Sequence, residues 1–209
     1  MSWLFVTMLV LSACSGSPSL ETRDVNIDES YTAGPVDDIL VLSLQADDIH
    51  DSRVIIERSF SQKMKDAGIN AIAGYTRFDS MDELLANPSV FEPALEREEV
   101  EAVLFIDPVK LDTDYDPGEY AARRSAYRSL GFDDSATINL LSNIAHDASA
   151  AKVVMNIGLW IPETDTDVFN STYDINAPGN YDVENARQYA LGFAEIVIED
   201  LRKYGLIQQ

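Results

Sequence analysis

The chain has 209 residues, with 15 Lys and Arg against 36 Asp and Glu, a formal charge of −21. Such an excess of carboxylates argues against nucleic acid as a partner, because phosphate binding needs many clustered cations, and association with other acidic surfaces is discouraged. At 46% hydrophobic residues the chain is long enough for one ordinarily packed domain.

The first apolar run, Trp3 to Leu11, is too short to cross a bilayer as a helix, which needs about 20 apolar residues. It reads as the apolar region of an export signal. Leu11-Ser12-Ala13-Cys14 follows, and Cys14 is the only cysteine. This stretch resembles the lipobox of bacterial lipoproteins, although no Lys or Arg precedes it. The resemblance implies a signal peptide over 1–13, a diacylated Cys14 as the mature N-terminus, and, with Ser15 next, sorting to the outer membrane. The body of the protein is then expected in the periplasm, anchored by lipid. With Cys14 acylated no thiol remains for a disulfide, so the core alone must stabilise the fold.

Residues 15–34 are rich in Ser, Asp, Glu and Thr and predict a flexible tether spanning roughly 25 Å. The alternative is an arm packed along the domain, because Val25, Ile27 and Tyr31 alternate. The domain is expected over 35–209. Val36 to Leu44 predicts a strand buried on both faces. From Ser52, Ile55, Ile56, Phe60, Met64 and Ala67 fall at helical spacing, and Gly68 is placed as the C-terminal cap. Ile69 to Phe78 predicts a second strand. Met81 to Arg97 predicts a helix broken at Asn87-Pro88 and again at Pro93. Glu101 to Ile106 makes a third strand, continuing past Pro108.

The stretch 112–135 is polar; Tyr120 to Leu130 and residues 136–148 are expected to be short helices. Strict alternation then sets Val153, Met155, Ile157, Leu159 and Ile161 on one face of a strand. It resumes from Val168 through Phe169, Ser171, Tyr173 and Ile175, which predicts an antiparallel hairpin. A closing helix starts at Asp182, carries an apolar stripe from Val183 to Tyr204 and ends at Gly205. The expected fold is α/β: a single-domain mixed sheet with packed helices, strand-helix-strand-helix-strand followed by a hairpin and an amphipathic helix.

The opening strand ILVLSL, the helix end Lys65-Asp66-Ala67-Gly68, the strand EAVLFI, the hairpin and the closing helix are together similar to small envelope lipoproteins of mixed α/β fold. These include the curli-secretion lipoprotein, the lipoprotein activators of peptidoglycan synthases and the N-terminal domain of TolB. The resemblance implies a non-enzymatic accessory of envelope assembly or transport that binds another envelope protein.

Candidate sites follow from residue type and place. Asp47, Asp48, His50 and Asp51 lie after the first strand, where open α/β sheets hold ligands, and suit a divalent ion; the alternative is that Asp51 or Ser52 caps the helix and the rest is solvated loop. Asp112 to Gly118 begins like a calcium loop but fails, since its glycine is one place late and Arg123 stands at the twelfth position. Trp160, Phe169 and Tyr173 are candidates for an exposed aromatic partner patch, or else fill the core under the last helix. Arg123, Arg124 and Arg128 are the only cationic cluster, able to bind an anionic partner or to be balanced by the chain's own carboxylates. No Gly-x-Ser-x-Gly, Ser-x-x-Lys or phosphate loop occurs, no cofactor is called for, and a cell-wall or lipid hydrolase would have to use His50 or His146 as base.

Overall fold

The structure, a computed structural model of the chain, describes residues 19–44, 50–81, 84, 87, 90–109, 152–176 and 183–208. These residues form six strands and three α-helices: β1 (Ser19–Ile27), β2 (Asp38–Ser43), α1 (His50–Asp66), β3 (Asn70–Ala73), α2 (Phe91–Arg97), β4 (Ala102–Val109), β5 (Lys152–Ile161), β6 (Thr166–Asn176) and α3 (Val183–Lys203). The strands make one sheet in the order β1-β6-β5-β4-β2-β3. β2 pairs in parallel with both β3 and β4, and the remaining neighbours are antiparallel. The α/β class and the mixed sheet expected from the sequence are what the chain adopts.

Residues of alternate parity leave β2 and β4 on opposite faces. Ile39, Val41, Leu104 and Ile106 join Ile157, Leu159 and Tyr173 in a core under α1 and α3. Leu40, Leu42, Val103 and Phe105 pack on the other face with Phe91 and Leu95 of α2 and with Trp160. This two-sided burial is the reason β2 and EAVLFI read as continuous apolar runs. On the first face Phe60 of α1 meets Phe193 of α3 edge to face, with centroids 5.4 Å apart, and Phe193 meets Tyr173 at 5.2 Å.

Helix ends are set by local chemistry. At the end of α1 Gly68 takes φ +88°, its N–H bonds Lys65 O, and Ile69 N–H reaches back to Met64 O. These are the two bonds of a Schellman motif, whose left-handed residue is cheapest as glycine. α3 ends the same way at Gly205.

Four expectations are corrected. Ser19–Ile27 is not tether but the packed arm of the alternative reading: it is the edge strand β1, antiparallel to β6, with Val25, Ile27 and the following Tyr31 packed against the core. The second strand stops at Ala73 and turns through a 3-10 segment, Gly74–Thr76. A Cβ on Gly74 would lie 2.7 Å from Leu42 Cδ1 and 2.9 Å from Val41 O, so the chain approaches β2 there as only glycine allows. Pro93 does not break a helix, because it stands in the first turn of α2, where no intrahelical N–H is needed. Lastly, Ile55 and Ile56 are only half-buried, while Arg53 and Glu57 are fully buried.

Candidate functional site

Strand β2 lies between β3 and β4, so the chain's strand order reverses there, and the crevice beyond the carboxyl ends of parallel strands is where such sheets bind ligands. Ser43 at the end of β2 pairs with Ile106, Val109 at the end of β4 with Val154, and Asn176 at the end of β6 with both Lys152 and Ser19. One end of the sheet therefore gathers the carboxyl ends of β2, β4 and β6. Helix α1 begins beside it at His50, since it must run back antiparallel to β2 to reach the parallel strand β3.

A buried ion pair organises this end. Arg53 Nε lies 3.0 Å from Glu57 Oε1, both side chains fully buried. Glu57 Oε1 also accepts the Ser43 N–H at 2.9 Å, and Oε2 accepts the Tyr75 N–H. Arg53 Nη2 donates to Phe78 O at 2.8 Å, whereas its buried Nη1 finds no partner among the described residues. One carboxylate thus joins α1 to the end of β2 and to the turn after β3. Burial pushes the Glu57 carboxyl above the usual glutamate range, against the pull of Arg53 and the two N–H groups.

A second polar set crosses the face opposite α1 and α3. Asp107, Asn156 and Thr172 are register neighbours on β4, β5 and β6, all buried together with Asp174. Thr172 Oγ1 donates to Asn156 Oδ1 at 2.9 Å; Asn156 Nδ2 is buried with no partner among the described residues. An alternating strand usually turns its polar side to water, so this buried row departs from the pattern.

The candidate aromatic patch does not form. Trp160 is buried against α2, stacked on Phe91 with centroids 6.4 Å apart, and its Nε1 donates to Asp165 Oδ1 at 3.0 Å. Phe169 and Tyr173 lie in the core on the opposite face. Tyr173 donates its hydroxyl to Asp200 Oδ2 at 2.8 Å, and burial pushes its phenol far above the ordinary tyrosine value. The physical reason is the pleat: Trp160 has the parity of Gly158 and Asn156, while a bulge between Leu159 and Trp160 sets Val168 and Phe169 together under the helices. Three buried rings on two faces offer no common surface.

Cys14, Asp47, Asp48, Arg123, Arg124, Arg128, His146 and the acidic segment 112–118 lie outside the described residues, as do the two short helices expected between 120 and 148. His50 and Asp51 occupy the first turn of α1, their side chains outside the description. Among the described residues no group of three or more His, Cys, Asp and Glu is placed to hold a metal ion, and no helix is long and apolar enough to cross a membrane. The sequence reading missed the Arg53–Glu57 pair, although a signal was present. Residues 53, 57, 60 and 64 follow steps of four, three and four, in phase with the buried stripe of Phe60 and Met64.

The geometry defines a doubly covered α/β sheet with a polar carboxyl end. No family model matches the chain, and no curated protein does. Solved structures do: a PelC point variant from Paraburkholderia phytofirmans, a dodecamer, is 9% identical with TM-score 0.41, over 87% of this chain and 96% of that one. The PelC dodecamer from the same organism in another crystal form is 11% identical with TM-score 0.40, over 84% and 94%.

Proposed function

We propose that the protein is a lipid-anchored, non-catalytic component of the bacterial envelope, held at the periplasmic face of the outer membrane, whose α/β domain binds another envelope protein. The observation that carries this reading is the N-terminal arrangement: an apolar run, then Leu11-Ser12-Ala13-Cys14, then a folded sheet that starts at Ser19. Two acyl chains on one cysteine give stable membrane attachment, at about 0.8 kcal/mol per buried methylene.

The test is crosslinking in intact cells, followed by identification of captured proteins, with native protein beside a Cys14→Ala form exported by a different signal. Capture of one envelope protein that weakens without the lipid supports the reading; an identical, nonspecific set from both forms overturns it. A second reading draws support from the reversal of strand order at β2: Asp47, Asp48, His50 and Asp51 bind a small ligand or divalent ion at the strand ends. Calorimetry with calcium, zinc and manganese that gives no heat removes the metal version.

A further inference from the structure

Because β1 begins at Ser19, five residues after Cys14, the fold constrains more than the existence of an anchor. Consecutive residues of an extended chain span at most about 3.6 Å, so Ser19 cannot lie farther than about 18 Å from Cys14. Ser19 is not a free end. It pairs with Asn176, which pairs in turn with Lys152, and Val25 and Ile27 of the same strand pack on the core. Ser171 Oγ donates to Asp24 O at 2.8 Å, a further tie between β1 and β6.

The attached end of β1 is thus the end of the sheet that gathers the carboxyl ends of β2, β4 and β6 and the start of α1. The opposite end holds the β5–β6 turn at Pro162–Thr164, the last turns of α1 and α3 with Lys63, Lys65, Arg202 and Lys203, and the bridge between Val36 and Ile207. Ten residues of β5, at about 3.3 Å each, put the two ends about 30 Å apart. That length exceeds the reach of the linker.

We infer that the domain is held against the bilayer by the carboxyl-terminal end of its sheet, with the β5–β6 turn and the basic ends of α1 and α3 directed into the periplasm. The inference rests on the acylation of Cys14 proposed above. Its consequence for recognition is that a periplasmic partner meets the distal end first, whereas a ligand at the strand ends would have to be reached from the membrane side.

With Cys14 acylated, an introduced cysteine is the only thiol in the chain. Ser52→Cys, at an exposed position in the first turn of α1, and Glu163→Cys, exposed at the distal turn, would each be labelled with a fluorophore on the purified full-length lipoprotein in phosphatidylcholine vesicles. A headgroup-linked quencher should cause loss of fluorescence at position 52 and little at 163. Inserting a flexible linker of about 20 residues between Pro18 and Ser19, which adds about 25 Å of average span, should abolish the difference. Mass spectrometry of the N-terminal peptide separates the two failures. An unacylated Cys14 removes the anchor and the orientation together; an acylated protein with equal or reversed quenching overturns the orientation alone.

Discussion

Arg53 and Glu57 stand one turn apart on α1, both sealed from solvent, with Nε and Oε1 3.0 Å apart. Removing one partner of such a pair strands the other charge in the interior, which costs about 3–5 kcal/mol, whereas replacing both by apolar groups is often neutral. Glu57→Ala should lower unfolding free energy by about that much, and the double replacement Arg53→Met with Glu57→Leu should recover only the part due to the stranded guanidinium, because the Ser43 and Tyr75 N–H groups still lose their acceptor. Urea denaturation checks this; full stability in the single variant would show that the pair does not hold α1 to the strand ends.

The pH dependence has a definite sign. Burial raises the folded Glu57 carboxyl above its unfolded value, so the folded protein holds that proton more tightly. The contribution is complete below the ordinary glutamate range and is lost as pH rises through the folded value. Stability of the native chain relative to Glu57→Gln should therefore fall as pH is raised from the ordinary glutamate value toward neutrality. Denaturation midpoints for both proteins at stepped pH measure it, and a difference that grows with pH contradicts it.

Two glycines should respond oppositely to alanine. At Gly74 the new methyl would meet Val41 O at 2.9 Å, backbone that cannot swing aside, and overpacking of this kind costs about 1–3 kcal/mol. At Gly192, inside α3, nothing lies within 4 Å of the added carbon, and alanine favours a helix interior over glycine by about 0.5–1 kcal/mol. Thermal melts of Gly74→Ala and Gly192→Ala should shift in opposite directions.

Trp160 should act as a core residue. Its emission should be blue-shifted in the folded protein and move red on unfolding, and Trp160→Ala should cost about 3–5 kcal/mol. A variant with native stability that loses only partner capture would place the indole on a surface instead.

Much of the fold was legible in the residues because burial leaves periodic marks. The runs from Ile39 to Leu44 and from Ala102 to Ile106, the alternation from Met155 to Ile161, and the glycines closing α1 and α3 each carry a local physical requirement. The end of β3 at Gly74 was not legible, since it depends on a contact with Val41 and Leu42 some thirty positions earlier. The strand at Ser19–Ile27 was hidden for a related reason. Its sequence is mostly polar, with Val25 and Ile27 half-buried, and its backbone hydrogen bonds are made with β6, nearly 150 residues away.

The α/β class, the apolar strands, the stops of α1 and α3, and the N-terminal pattern from which acylation is proposed are all written in the order of residues. Each depends on residue type, spacing and local hydrogen bonding. Folding contacts between distant segments put Trp160 and Tyr173 on opposite faces, sealed Arg53 and Glu57 together, and made Ser19 part of the sheet, within about 18 Å of Cys14. Those outcomes depend on which strand lies beside which and where a bulge resets the pleat. Pairing register is fixed by contacts between residues far apart in the chain, so no short stretch of sequence carries it.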